Sequence, residues 1–240
     1  MRRTRRLILL LLPVAVIGLG LLALRDYARR YPQEMPWTAL DLRQPIGAFT
    51  GRKLAALADE PARCRALLGE AGVAFTMLPP RNAGAQCGYD NAVRFGARAI
   101  GYRPADPGAA CPVAAALVIW EREVVAPAAR RHFGRRVTAI DHFGSYSCRR
   151  IYGREEGAWS EHARANALDV AAFRLDNGTR VSVVNDWPDQ GAKGRFLREV
   201  RDGACRLFGT VLSPDYNQAH RDHLHLDQAN RGQWGWRACR

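Results

Sequence analysis

The sequence predicts an α+β domain, in which an antiparallel sheet is flanked by helices, with one transmembrane helix at the N-terminus. Residues 7–24 form an uncharged apolar run, and apolar residues recur at helical intervals over 112–133 and 194–208. An Asp-Asn-Gly turn at 176–178 joins two strand-like segments. With 240 residues, of which 48% are hydrophobic and 25% charged, the chain has the composition of a globular protein and not of a disordered one.

The N-terminal apolar run is long enough to cross a bilayer. Residues 7–24 would extend about 27 Å as a helix, close to the thickness of the hydrocarbon core. The arginines within residues 1–6 form a cytoplasmic basic tip, because the positive-inside rule keeps them on the inner side. We therefore expect a single-pass signal anchor in the inner membrane, with the following domain in the periplasm. A cleaved signal peptide is the alternative, although no clear small-x-small cleavage site follows Leu24.

A linker and a helical segment follow the apolar run. Residues 25–50 carry Arg, Pro and Asp but few periodic apolar positions, which is typical of a linker. We therefore place the folded domain at 51–240. Helical spacing over 53–71 is interrupted by Pro61, which predicts two short helices or one broken helix.

The rest of the domain is predicted to alternate between helices and strands. Residues 112–133 have a proline suited to a first helical turn and stop at Gly134, and Pro127 is where this helix would divide. Residues 194–208 form a second helix that buries one apolar stripe against the sheet. The strand-like segments are 137–143, the neighbouring stretch through 145–147, the hairpin pair 167–175 and 180–187, and a short strand at 224–227.

Charge and cysteine usage restrict the partners. A net charge of +13 is compatible with nucleic acid or with anionic envelope polymers. Export of the domain makes DNA inaccessible, so we expect no nucleic-acid partner. The six cysteines are dispersed without a Cys-x-x-Cys pair, which argues against thiolate zinc fingers and thioredoxin-like sites and favours disulfides.

Four of the six histidines lie in two compact segments, 160–169 and 220–227. In the second segment, strand periodicity places His223, His225 and Asp227 on one face, while the intervening leucines point to the core.

In the first segment, the same periodicity places Asp169 on one strand face with Ala171 and Phe173, opposite Leu168. His162 precedes this strand on a loop or short turn and is expected to fold back beside Asp169.

These two segments predict a metal site. His162, Asp169 and His225 are the proposed ligands of Zn²⁺, which would keep a fourth position for water as catalytic zinc sites do. Mixed nitrogen and oxygen ligation also suits iron and manganese. A nearby side chain has to accept and return a proton, and His223 is the candidate. Any of three further residues would orient the imidazole N–H groups: Asp227, His220 or Asp222.

The spacing of these residues is similar to a known signature. Ser160-x-His162-x6-Asp169, followed by His220-x2-His223-x-His225, resembles the zinc motifs of the D-Ala-D-Ala carboxypeptidase and murein endopeptidase superfamily. The chain departs from that pattern at Arg164 and Asn166, where the peptidases commonly have small residues.

A wider series of short motifs extends the resemblance. They are Cys87-Gly88, Trp120, Pro127-Ala128-Ala129, Ser145-Tyr146-Ser147-Cys148-Arg149, Ser160-Glu161-His162-Ala163, Asp186-Trp187, Phe196-Leu197, Pro214-Asp215-Tyr216-Asn217 and His225-Leu226-Asp227. Together they resemble the extensin-like C-terminal domain family over residues 60–230. The resemblance implies a D-Ala-D-Ala peptidase-like fold and the zinc ligand set His162, Asp169 and His225. It also implies that Arg149 holds a substrate carboxylate or carbonyl, for which a guanidinium is suited.

The leading hypothesis is an envelope-anchored, zinc-dependent peptidoglycan hydrolase, a carboxypeptidase or endopeptidase that cuts amides in stem peptides or cross-links. Its partners would be peptidoglycan or its stem peptides, and the inner membrane through residues 7–24. A noncatalytic cell-wall-binding or scaffolding module that retains the metal site is the alternative. A third reading makes the histidine face a structural hydrogen-bond network.

Two further expectations concern cysteines and tryptophans. A bridge between Cys148 and Cys205, on the strand and helix that flank the site, would fasten the wall that carries Arg149. The pairs Cys64–Cys87 and Cys111–Cys239 would then follow by default, out of about 15 possible connectivities. Near the C-terminus, Trp234 and Trp236 would pack over the sheet edge or face a glycan.

Overall fold

The computed structural model describes residues 2–232 and 237–240, and for residues 2–10 the backbone alone. Trp234 and Trp236 lie outside the described residues. The α-helices of the described part are α1 (Arg2–Arg30), α2 (Thr50–Ala56), α3 (Pro61–Glu70), α4 (Cys111–Trp120), α5 (Ala126–Phe133), α6 (Val183–Asp186) and α7 (Ala192–Ala204). Its strands are β1 (Phe75–Met77), β2 (Arg81–Asn82), β3 (Gly88–Tyr89), β4 (Ala92–Phe95), β5 (Gly101–Arg103), β6 (Gly108–Ala110), β7 (Val137–Gly144), β8 (Ala167–Leu175), β9 (Arg180–Ser182), β10 (Thr210–Leu212), β11 (Leu224–Asp227) and β12 (Ala238–Cys239).

A seven-stranded sheet forms the centre of the fold. Its strand order is β12-β10-β11-β8-β7-β5, and β9 pairs with β8 off this path. The central pairs are antiparallel, whereas β5–β7 and β10–β12 are parallel. Two smaller antiparallel sheets, β1-β4-β6 and β2-β3, complete the described strands. The α+β class with antiparallel sheets and flanking helices is confirmed.

The predicted long helix is continuous from α4 to α5. A π-helical turn at Glu121–Val125 connects the two, and Pro127 follows this turn directly without ending the helix. The helix ends at Gly134, which adopts φ 64° as a left-handed cap. Pro61 likewise begins α3, so 53–71 is indeed two helices, separated by the 3-10 turn Leu57–Asp59.

Helices α4 and α7 cover the apolar face of the sheet. Trp120 is fully buried, and its indole N–H donates to the carbonyl of Val200 on α7 at 2.8 Å. The ring of Phe173 on β8 lies 5.8 Å from Trp120 and 5.0 Å from Phe196. These aromatic contacts fix the helices against β8, and so determine which face of β8 remains for a polar site.

The position of Phe173 contradicts the expectation that it shares a face with Asp169. In the β7–β8 register, Asp141 pairs with Ala172 and His142 with Val170, so Ala171 is an extra residue on β8. Such a bulge shifts the alternation of side chains by one position. As a result, Asp169 points to the cleft and Phe173 points to the core. On a regular strand these two residues, four positions apart, would share a face.

Two further strand boundaries differ from the prediction. The stretch 145–147 is a loop, and strand β7 ends at Gly144. The 176–178 turn forms the expected hairpin, with Gly178 at φ 84°, but the second strand stops at Ser182 and α6 follows.

The segment predicted as a linker is instead packed on the domain. Leu40 and Leu42 are buried in the hydrophobic core, and Arg122 donates to the carbonyl of Gln44 at 2.9 Å. The carbonyl of Gln33 accepts the Phe49 N–H at 3.0 Å. Residues 31–50 thus belong to the folded domain, whose boundary lies before position 51, and residues 25–30 continue α1.

The three predicted disulfide pairings are wrong. The bridges are Cys64–Cys111, Cys87–Cys148 and Cys205–Cys239. Cys64 and Cys111 lie on the packed helices α3 and α4, and Cys239 lies on β12, whose parallel partner β10 follows the end of α7 closely. Each cysteine is thus bridged to one that the fold brings near it. The positions of the cysteines relative to the histidine segments do not determine the pairs.

Candidate metal centre

The sheet brings two of the candidate ligands together. On the antiparallel pair β8–β11, Asp169 and His225 are register partners. His225 Nδ1 lies 2.9 Å from Asp169 Oδ1. Neighbouring β11 residues Leu224 and Leu226 are fully buried in the core, as the strand periodicity predicts. Two of the predicted ligands therefore depend on backbone pairing for their position.

His162 approaches the same point from a short 3-10 turn, Glu161–Arg164. Ser160 caps this turn, and its hydroxyl accepts the His162 N–H at 3.3 Å. His162 Nε2 lies 3.1 Å from Asp169 Oδ2 and 3.2 Å from His225 Nδ1. One ligand atom from each residue falls within 4.8 Å of the others, and all three residues are buried.

The remaining imidazole nitrogens have their own partners. His162 Nδ1 donates to the carbonyl of Ser145 at 2.6 Å, and His225 Nε2 donates to Asp227 Oδ2 at 2.9 Å. A carbonyl or carboxylate that only accepts assigns the proton to these nitrogens. The opposite nitrogens, His162 Nε2 and His225 Nδ1, therefore face Asp169, which is the arrangement that orients histidine ligands around a metal ion.

Burial and close pairing determine the charges of this group. Burial opposes ionisation of Asp169, but its hydrogen bonds with His162 and His225 outweigh burial and hold its pKa far below the usual range. Burial would also lower the pKa of His225, but hydrogen bonds with Asp169 and Asp227 raise it to about 9. At neutral pH the group thus pairs the Asp169 carboxylate with a protonated His225. Once His225 Nδ1 loses its proton, the group offers one carboxylate and two imidazoles, a donor set suited to several divalent cations.

His223, the predicted proton acceptor, lies beside the three residues. Its Nδ1 is 2.8 Å from Asp222 Oδ1, and its Nε2 is 3.5 Å from Asp169 Oδ1. Because the Asp222 carboxylate accepts a hydrogen bond from the His223 Nδ1–H, the neutral ring has its lone pair on Nε2, toward Asp169. The exposed ring of Phe143 lies edge-to-face with His223, with the two ring centroids 5.8 Å apart.

His220 is a second cleft imidazole. Its Nδ1 donates to Asn217 Oδ1 at 2.8 Å, so Nε2 is the acceptor nitrogen. Burial, together with the nearby His223 and His225, lowers the pKa of His220 to about 4. No partner for His220 is predicted from the sequence, although the Asn217-x2-His220 spacing is typical of a capped 3-10 turn.

The centre opens into a cleft of about 400 Å³. Arg149 is exposed and lines this cleft, while its carbonyl accepts the Ser160 N–H at 3.1 Å. The structure therefore places Arg149 on the same cleft as the three ligand candidates. The Cys87–Cys148 bridge immediately precedes Arg149 and fastens its loop.

Three groups at the site are not predicted from the sequence. The Ser145 carbonyl is a backbone group, for which the sequence carries no signal. Glu161 lines the cleft, and burial raises its pKa. Tyr152 adopts φ 59°, a left-handed conformation uncommon for a non-glycine residue, and its hydroxyl accepts from Asn217 Nδ2 at 2.9 Å.

Comparison with known proteins identifies one family. No curated protein and no solved structure matches the chain. A family model described as Extensin-like protein C-terminus matches residues 62–240. Because the match covers most of the chain and includes His162, Asp169 and His225, the protein belongs to the extensin-like protein C-terminus family.

Proposed function

We propose that the protein is an envelope-anchored, zinc-dependent peptidoglycan hydrolase that cuts amides in stem peptides or cross-links. The observation that carries this proposal is the convergence of His162, Asp169 and His225 on one point in a cleft that also holds Arg149 and His223. The spacing of these residues, which resembles that of zinc D-Ala-D-Ala peptidases, supports a related fold and reaction.

The donor set fits zinc. Two imidazole nitrogens and one carboxylate oxygen are the protein ligands of many catalytic zinc sites, and Ser145 and Asp227 orient the two imidazoles. When bound, zinc would supply an acidified water and polarise the scissile carbonyl.

The cleft residues then have separate tasks. His223 accepts a proton at Nε2, and Asp222 stabilises the resulting imidazolium from the other side of the ring. Arg149 binds a carboxylate or carbonyl of the stem peptide with its two parallel N–H groups. His220, with its low pKa, stays neutral at neutral pH and adds no charge to the cleft.

The N-terminal helix supports the proposed location in the inner membrane, with the domain in the periplasm. The stretch Leu11–Arg30 of α1 is long and apolar enough to cross a bilayer, and its large apolar side chains are exposed. Bridging of all six cysteines is consistent with an oxidising compartment.

The proposal is tested on the full chain in detergent micelles, loaded with zinc and incubated with isolated peptidoglycan. We expect new peptide termini among the released muropeptides for the wild type, and none for His223→Ala that retains zinc. A wild-type protein that binds zinc but leaves muropeptides unchanged would refute the hydrolase, and sedimentation with the wall would then favour a noncatalytic wall-binding module.

A further inference from the structure

A second cleft lies beside the metal centre. Its volume is about 820 Å³, within the usual range for ligand sites. It is bounded by the β2–β3 hairpin, by the start of α4 and by the segment that follows β11. The two clefts share Trp159, Ser160 and Glu161, so a ligand of the second cleft would lie next to the metal centre.

Carboxamide side chains are the common feature of the second cleft. The amides that line it are Asn82, Gln86, Asn91, Asn166, Gln228 and Asn230. An amide both donates and accepts hydrogen bonds, so such a lining suits a neutral ligand with many hydroxyl and amide groups. The metal centre, by contrast, is lined by imidazoles, carboxylates and guanidinium groups.

The second cleft has both acidic and basic residues and no excess of positive charge. Its acidic residues are Asp59, Asp90 and Glu161, and its basic residues are Arg81 and Arg164. The whole chain carries +13, so this cleft departs from the basic average of the protein. A cleft built for a strongly anionic polymer would instead concentrate arginines.

Several of the amides have hydrogen-bonding capacity left over. Gln228 is 2% exposed and donates from Nε2 to the Leu207 carbonyl, but its Oε1 has no partner among the described residues. Gln86 Oε1 is fixed by Arg164 Nη2 at 2.9 Å, which directs the Gln86 amide without using its N–H groups. Buried polar atoms without a partner are uncommon, so Gln228 Oε1 is an acceptor in the wall of the cleft whose hydrogen bond is still to be made.

Two aromatic residues complete the lining. The guanidinium of Arg150 covers the Trp159 ring at 4.6 Å, and Tyr89 lies edge-on to Tyr146 at 5.4 Å. Both Trp159 and Tyr89 are half-buried and line the cleft. Flat, rigid side chains beside fixed amides offer apolar surface and hydrogen bonds together.

We propose that the second cleft binds the glycan strand of the wall, recognising N-acetylated amino sugars. Acetamido and hydroxyl groups match the amides. The C–H faces of pyranose rings match Tyr89 and the face of the Trp159 ring that Arg150 does not cover. This inference rests on the proposed function, since it places the sugar chain beside the cleft in which a stem peptide would be cut. It assigns recognition of the glycan to residues separate from the metal ligands.

The test uses chitotetraose, a β-1,4-linked tetramer of N-acetylglucosamine without any peptide, and the full chain in detergent micelles. We expect calorimetric binding that persists at high salt, after metal chelation and in His225→Ala. Cellotetraose, which lacks the acetamido groups, should bind clearly more weakly.

Two shape-preserving substitutions probe the amides. The double variant Gln86→Glu/Asn91→Asp replaces amide donors by carboxylates and should weaken chitotetraose binding roughly tenfold.

Substitutions of Trp159 probe the aromatic contact. Trp159→Leu should weaken chitotetraose binding as well, whereas Trp159→Phe should retain most of the binding. Thermal melting of each variant confirms that the fold is intact.

Failure of this inference is distinguishable from failure of the hydrolase. Cleavage of stem peptides without chitotetraose binding would overturn the glycan cleft alone. Binding that disappears at high salt, or that Gln86→Glu/Asn91→Asp and Trp159→Leu leave unchanged, would overturn it too. Chitotetraose binding by a protein that never cuts peptides would support the cleft and refute the hydrolase.

Discussion

Asp169 Oδ1 lies 2.9 Å from His225 Nδ1, across the hydrogen-bonded pair of strands on which the two residues are direct register partners. Central strands are the most rigid part of such a fold, so this pair has a nearly fixed geometry. His162, the third ligand candidate, comes from a 3-10 turn outside the sheet, so its position depends on the loop before β8.

Loss of one ligand should abolish zinc binding. His225→Ala removes one of three donors and leaves Asp169 without its strand partner, so we expect no stoichiometric zinc after dialysis, measured by plasma mass spectrometry. His132→Ala is the control, because that residue pairs with Glu199 on α7, away from the centre. Equal zinc content in wild type and His225→Ala would contradict the site.

Asp227, which accepts a hydrogen bond from His225 Nε2, should increase zinc affinity without being a zinc ligand. Asp227→Asn keeps an acceptor for the Nε2 proton but removes the charge, so we expect zinc affinity to fall roughly 10–100-fold with stoichiometry unchanged. Competition with a fluorescent chelator measures the change. An unaltered affinity would mean that Asp227 plays no part in holding the ligand.

Zinc binding should release a proton. Metal-free His225 has a pKa of about 9 and is therefore an imidazolium at pH 7, with the ligand nitrogen Nδ1 protonated. We expect about one proton released per ion at pH 7, and an apparent affinity that rises about tenfold per pH unit and levels off above pH 9. Calorimetry in buffers of different ionisation enthalpy measures the proton, and an affinity flat between pH 7 and 9 would contradict this.

Arg149 should contribute to the binding of substrate and not to the binding of zinc. A charge-assisted hydrogen bond contributes about 1.5–3 kcal/mol, so Arg149→Ala should lower kcat/KM for muropeptides by roughly 10–100-fold while zinc content stays the same. Arg149→Lys should recover part of the loss, since it retains the charge but not the paired N–H geometry. Wild-type kinetics in Arg149→Ala would remove this residue from the substrate site.

The bridge next to Arg149 should stabilise the domain. Cys87 and Cys148 are 61 residues apart, and closing such a loop is worth about 4 kcal/mol in the chain-entropy model. Cys87→Ala/Cys148→Ala should therefore lower the denaturation midpoint and make the Arg149 loop sensitive to protease. Non-reducing peptide mapping of the wild type should yield the three bridges described above, and any other pairing would contradict the fold.

The sequence predicted those features that depend on local pattern. Helix 112–133, the 176–178 hairpin and strand β11 follow from periodicity and turn residues, and the two histidine segments follow from clustering. The face of Phe173 was missed because the Ala171 bulge depends on how β7 pairs with β8. The disulfides and the Ser145 carbonyl contact were missed because they depend on tertiary proximity, which spacing along the chain does not encode.

Residues 31–50 pack on the domain, which limits how far the domain can extend from the end of helix α1. Helix α1 ends at Arg30, and Gln33 is already buried in the domain, so the residues between them span at most about 7–11 Å when extended. With the anchor proposed above, the domain would be held close to the membrane surface, because so short a connection leaves it little freedom to move away.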